Sequence, residues 1–179
     1  MNIAFLIILI IVGIALVVLL IAAFIKRDYA VEKQITINKP AREVFEYVRY
    51  LKNMECYNKW VMTDPSAKKT YQGNDGTVGA VYIWDSTNKQ VGAGEQVISK
   101  LKDGERMEMH TTFFRPFEGK AKSYITTSAV GPDITLVTWG FASKMAYPMN
   151  FILLFINLGE VLGKDIKESL ENLKQALEI

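Results

Sequence analysis

The chain is short of the side chains on which most enzymes depend: it holds a single histidine, His110, and a single cysteine, Cys56. One imidazole cannot be shared between a metal and a relay, and no Cys/His cluster has the spacing zinc requires. One thiol cannot close an internal disulfide, so the chain does not look built for an oxidising compartment. No glycine-rich stretch has the spacing of a nucleotide-binding loop, and no cofactor is implied. A formal charge of +2, with acids and bases interleaved, lacks the basic footprint of a nucleic-acid binder. Low-complexity tracts, internal repeats and Pro/Gly/Ser-rich linkers are also missing. The length then suits one domain with a substantial core.

Charge itself is missing from the start of the chain. Ile3 to Ile25 carries no ionisable and no strongly polar side chain. As a helix this run extends ~35 Å at ~1.5 Å per residue, enough to cross a hydrocarbon core of ~30 Å with some tilt. A secretory signal has an apolar part of only ~7–15 residues and a small-residue cleavage site, for which Ile21-Ala-Ala-Phe24 is poor. Residues 1–25 are therefore expected to be a retained transmembrane anchor and 26–179 a single domain. Lys26, Arg27, Lys33, Lys39 and Arg42 follow the helix, whereas only Met1 and Asn2 precede it. That bias puts the domain on the cytoplasmic side. The gap before the first strand, about Lys26 to Tyr29, is short, so the domain rides close to a lipid bilayer.

Tyr29 to Asn38 alternates, with Tyr29, Val31, Lys33, Ile35 and Ile37 on one side, and reads as a strand. Pro40 suits a first helical turn, and Val44, Phe45, Val48 and Leu51 form the apolar stripe of a helix over 41–51. A second short helix is expected from Met54 to Trp60. Turn signals at Gly73-Asn-Asp-Gly76, Ser86-Thr-Asn88, Asp103-Gly104, Pro116-Phe-Glu-Gly119 and Gly131-Pro-Asp133 then separate segments rich in β-branched and aromatic residues. They predict strands at 69–73, 79–85, 91–101, 106–114, 120–130 and 134–143, joined as an antiparallel meander. Gly92-Ala-Gly94 reads as a bulge or bend. Phe155, Leu158, Leu162, Ile166, Leu170, Leu173 and Leu177 predict the sheet-facing side of one long helix from Pro148 to Leu177. Its first turns, Phe151 to Ile156, are apolar all round, which implies burial or contact with lipid.

This order, strand, two helices, six strands and a long helix, resembles the helix-grip arrangement of the START/Bet v 1-like (SRPBCC) superfamily. Ile35-Thr-Ile-Asn-Lys-Pro-Ala-Arg-Glu-Val-Phe-Glu-Tyr-Val48 resembles the opening strand and helix of its polyketide cyclase/dehydrase-like subgroup. Gly79-Ala-Val-Tyr-Ile-Trp84, Val91-Gly-Ala-Gly94, Val137-Thr-Trp-Gly140 and Gly163-Lys-Asp-Ile-Lys-Glu-Ser-Leu-Glu-Asn-Leu-Lys174 are similar to later blocks. The resemblance implies an α+β domain in which a curved antiparallel sheet of about seven strands wraps a long C-terminal helix, preceded here by a transmembrane helix. It carries little about function, since one fold hosts many activities.

Strand alternation sends Arg106, Glu108, His110 and Thr112 outward, so His110 is expected to face solvent. Cys56, with no histidine near it in sequence, is expected to be partly buried and inert. No catalytic residue and no metal ligand is assigned. In a helix-grip fold, Trp60, Tyr82, Trp84, Met107, Met109, Phe113, Trp139 and Phe141, with Leu158 and Leu162 of the long helix, surround the space under that helix. Thr111, Ser123 and Thr127 add hydroxyls. Either these side chains fill a solid core, or they line a cavity for a lipid-like, isoprenoid or polyaromatic molecule. The leading expectation is a membrane-anchored binding module for a hydrophobic small molecule. A cyclase/dehydratase-type enzyme using the same cavity and a protein-interaction module are the alternatives; no protein partner can be named.

Overall fold

The computed structural model describes Asn2 to Glu178; Met1 and Ile179, the outer limits of the expected anchor and domain, lie outside the described residues. Helix α1 (Ile3–Phe24) starts where the Asn2 side chain accepts a hydrogen bond from the Ala4 amide, and Ala22 is its one buried residue. It is long and apolar enough to cross a membrane. Strand β1 (Asp28–Ile37), helix α2 (Ala41–Val48), a 3₁₀ turn (Leu51–Asn53) and short helices α3 (Met54–Tyr57) and α4 (Lys59–Thr63) follow. Strands β2 (Lys68–Gln72), β3 (Val81–Asp85), β4 (Ala93–Lys102), β5 (Arg106–Arg115), β6 (Gly119–Gly131) and β7 (Ile134–Lys144) come next. A 3₁₀ segment (Met149–Leu154) leads into α5 (Leu158–Leu177). All seven strands form one antiparallel sheet in the order β1-β7-β6-β5-β4-β3-β2.

One face of the sheet carries the core. Ile37, Ile98, Met107, Met109, Ile125 and Val137 meet Val44, Phe45 and Val48 of α2 and Ile166, Leu170 and Leu173 of α5. All are buried. Full burial of each large aliphatic side chain contributes about 1.5–3 kcal/mol, which holds α5 against the sheet.

Three helical expectations are corrected by tertiary hydrogen bonds. Helix α2 ends at Val48, not at Leu51, because the Leu51 and Lys52 amides donate to the Asp75 carboxylate at 2.8 and 3.2 Å. The expected helix from Met54 to Trp60 is two helices. Asn58 between them is extended, and its side chain accepts from the Trp60 and Val61 amides. The long C-terminal helix begins at Leu158, capped by Asn157, whose side chain accepts from the Glu160 amide at 3.2 Å. Phe155, expected on the sheet-facing side, lies before that cap and is 74% exposed.

The strands follow expectation to within a few residues. Residues 91 and 92 precede β4 instead of opening it, because Gly92 turns there with φ +64°, where a Cβ would lie 2.0 Å from the Arg115 carbonyl oxygen. The β4–β5 register shifts between Ala93 and Gly94, as the Gly-Ala-Gly segment implies.

Candidate ligand site

The core is solid at one end of the sheet and hollow at the other. Along β5, Met107 and Met109 sit in the closed half, while Thr111 and Phe113 reach the open half. There a cavity of about 260 Å³ lies between β3–β7, α4 and the first turns of α5. Of the side chains expected around it, Trp60, Tyr82, Trp84, Thr111, Phe113, Ser123, Trp139, Phe141 and Leu162 line it. Met107, Met109, Thr127 and Leu158 do not. Met107 and Met109 are closed into the core. The Met109 sulfur lies 2.6 Å from the Gln96 amide nitrogen. Thr127 points to the far end of β6, where its hydroxyl donates to the Gly104 carbonyl at 3.0 Å. Leu158 is half-buried at the very start of α5, one turn before Leu162.

Two aromatic groups face each other across the hollow. On the α5 side, the Trp60 and Trp139 rings meet edge to face at 6.3 Å, and Phe141 lies 6.3 Å from Trp60. Trp60 is anchored by its indole N–H, which donates to Asp165 of α5 at 3.2 Å. On the β3 side, Tyr82 and Trp84 stack at 5.7 Å and Trp84 meets Phe113 edge-on at 6.1 Å. Gly94 permits this: a Cβ there would stand 2.6 Å from the Trp84 ring and 2.5 Å from the Thr112 carbonyl oxygen.

The polar groups are few. Thr111 and Ser123 are buried and contribute hydroxyls. The Trp139 indole N–H is buried without a hydrogen-bond partner among the described residues. The ionisable groups on the lining are Asp64, Tyr82 and Arg115. Asp64 accepts from the Ser66 hydroxyl at 2.6 Å and from Ser86, and these bonds, Ser66 first, hold its carboxyl below the usual range. Burial, and secondarily the charge of Glu55, pushes the Tyr82 phenol up to about 12. Arg115 is paired with Asp85.

Sequence reasoning missed Asn58, Val61, Asp64, Ala67, Gln90, Val91, Gln96, Arg115, Pro116 and Phe117, which complete the lining. Gln96 and Arg115 share the inward parity of Ile98 and Phe113, so alternation alone could have found them. The others lie on α4 and loops, where no periodicity operates. His110 is exposed on the outer face, as expected. Cys56 is exposed, against expectation, because the four-residue α3 turns its Met54 and Tyr57 inward instead. Two shallow hollows on the outer face, about 540 and 500 Å³, are lined by Lys26, Lys120, Lys122 and Lys144, and by Glu32, Arg106, Glu108 and Tyr124. They are open troughs without an aromatic enclosure. Among the described residues no cluster of His, Cys, Asp or Glu could hold a metal ion.

The family described as polyketide cyclase / dehydrase and lipid transport matches residues 29–178. The chain belongs to that family. No curated protein matches this polyketide cyclase/dehydrase-type chain. Solved structures share its fold at low identity. A Rhizobium loti protein superposes with a TM-score of 0.63 at 11% identity, covering 84% of this chain and 97% of that one. Norcoclaurine synthase from Thalictrum flavum, in complex with dopamine and hydroxybenzaldehyde, gives 0.59 at 12%, covering 88% and 91%. A protein of the dynemicin biosynthetic locus gives 0.55 at 15%, covering 83% of this chain and 47% of that one. The family description is consistent with hydrophobic-ligand or cyclase-type chemistry, and the solved structures share the fold.

Proposed function

We propose that the chain binds a small, mainly apolar molecule in the aromatic cavity, while α1 holds the domain at the cytoplasmic surface of a membrane. The observation that carries this reading is the hollow itself, framed by two aromatic groups and lined by the Thr111 and Ser123 hydroxyls. A guest carrying one carbonyl, ether or hydroxyl oxygen finds a hydrogen-bond partner in those hydroxyls. Size narrows the class. An apolar cavity of ~150 Å³ takes benzene, so about 260 Å³ suits one or two rings or a short isoprenoid, and not a two-chain lipid. The aromatic ligands in the norcoclaurine synthase complex are of this size.

The second reading is a cyclase/dehydratase-type enzyme acting on a hydrophobic substrate in the same cavity. It draws on the family description. Against it stand the states of the lining groups at neutral pH: Asp64 is tied down as an anion and Tyr82 keeps its proton. A general acid or base works best with a pKa near the working pH, and neither group has one. The test of the binding reading is native mass spectrometry and solvent extraction of the full chain, with titration of anilinonaphthalene sulfonate as probe. A co-purifying guest, or saturable probe binding displaced by one- or two-ring aromatics, is expected. Guest-free protein that binds no probe overturns it.

A further inference from the structure

The segment after β7 is built into the end of α1. Asn150, fully buried, donates from its side-chain amide to the Ala22 carbonyl at 2.7 Å and to the Ile25 carbonyl at 3.1 Å. The Tyr147 hydroxyl donates to the Leu19 carbonyl at 3.1 Å. Arg27 and Met145 close the joint: the Arg27 guanidinium donates to the Met145 carbonyl at 3.0 Å, and the Met145 amide to the Arg27 carbonyl at 2.9 Å. The last carbonyls of a helix have no partner within it, and in a bilayer they must find one. Here the domain supplies two, through Asn150 to Ala22 and Ile25, while Tyr147 adds a bond to Leu19 within the helix.

That joint fixes a depth. Leu19 lies about 7–8 Å along the axis from the end of α1, at ~1.5 Å per residue. The chain beside it therefore sits level with the last turns of the span. No charged residue occurs between Lys144 and Glu160. Ile152, Leu154, Phe155 and Ile156 are 46%, 55%, 74% and 42% exposed among the described residues. The backbone looks after itself: the amides of Asn150, Phe151, Phe155, Ile156 and Leu158 all donate to carbonyls within residues 146–156. Apolar side chains outward and main-chain polarity satisfied inward are what the headgroup–acyl boundary demands. Lys26, Arg27 and Lys144 stand at the adjoining level, where cations meet lipid phosphates.

We infer that Met149–Ile156 is a second membrane contact, sunk into the same leaflet as the last turns of α1, so that the domain is seated on the bilayer and not loosely tethered to it. This rests on the reading of α1 as a retained span. It also sets the cavity's orientation. The pairings Asp28↔Lys144, Ala121↔Ser143, Phe113↔Gly119 and Ala93↔Arg115 put the start of β1 and the end of β5 at one end of the sheet. Arg115, Pro116 and Phe117 at the cavity rim thus belong to the end from which α1 departs, and a guest dissolved in the leaflet has a short route in.

The test uses the full chain in phosphatidylcholine vesicles. In a Cys56→Ser background, an environment-sensitive fluorophore is attached through Phe155→Cys, with Ile152→Cys as the substitute should the first fail to fold and Asp103→Cys as the far-end control. Expected are a blue-shifted spectrum and strong quenching by lipids brominated on the upper acyl chain at 155 or 152, and quenching by aqueous iodide at 103. Alkaline carbonate washing is run in parallel. Protein that resists the wash but shows iodide quenching at 155 and 152 overturns the seating while leaving the span intact. Protein released by the wash overturns the span and the seating together.

Discussion

At the scale of single residues, Thr111 and Gly94 matter most to the cavity. Thr111→Val keeps the shape of the side chain and removes only the hydroxyl on the lining. A guest bearing an acceptor should bind roughly fivefold more weakly, ~1 kcal/mol, while a pure hydrocarbon of the same shape binds as before. Titration with such a pair of ligands reads the difference. Gly94→Ala pushes a methyl group into Trp84 and the Thr112 carbonyl. The overpacking should cost about 1–3 kcal/mol in urea unfolding. It should weaken probe binding as well, since Trp84 forms a wall. Away from the cavity, Glu55 accepts from the Tyr71 hydroxyl at 2.6 Å and from Lys69 at 2.9 Å, and these bonds, Tyr71 first, hold its carboxyl below its ordinary 4.5. A lowered carboxyl stabilises the fold above the unfolded pKa and loses that contribution as pH falls through the folded one. Urea midpoints for the native chain and Glu55→Gln should therefore differ at about pH 7 and converge towards about pH 3.

At the scale of elements, α4 is the least self-sufficient piece and the one that closes the cavity. It is five residues long and buries none of its own side chains fully. It is held by Ser169 of α5, whose buried hydroxyl accepts from the Lys59 amide at 2.9 Å and donates to the Asp165 carbonyl at 2.8 Å. Ser169→Ala strands the Lys59 amide and should cost about 1–3 kcal/mol. Hydrogen exchange should show the loss as faster opening of 59–63 than of the sheet. The same element shows where legibility ended. Period-two alternation and turn residues located all seven strands to within a few residues, because a half-buried sheet writes its faces into the sequence. The helices were located but not their breaks. Asn58 and Asn157 are ordinary cap residues whose competition with a continuing helix depends on what packs beside them.

At the scale of the whole molecule, the sheet end that receives α1 also bears the cavity rim. An exposed Cys56 offers a direct check on sidedness. A membrane-impermeant maleimide should leave Cys56 unlabelled in intact cells and label it after lysis, if the domain is cytoplasmic. Labelling of intact cells would place it outside and reverse the orientation inferred from the Lys and Arg bias.

The amino-acid sequence by itself determined the apolar helix, the order of strands, the sheet-facing stripe of α5 from Leu162 to Leu177 and the family, because these follow from local periodicity and from motifs that are contiguous in the chain. It supplied most of the cavity's rings, since inward parity along β3, β5 and β7 is a local property. Whether those rings would meet or stand apart was decided only by the tertiary structure: the curvature of the sheet, the cap at Asn157 and the Ser169 lock on α4 set the gap between Trp84 and Trp60. The joint between Asn150 and the end of α1 was equally invisible. It pairs groups more than a hundred positions apart in the chain, and neither partner carries a local signal for the other.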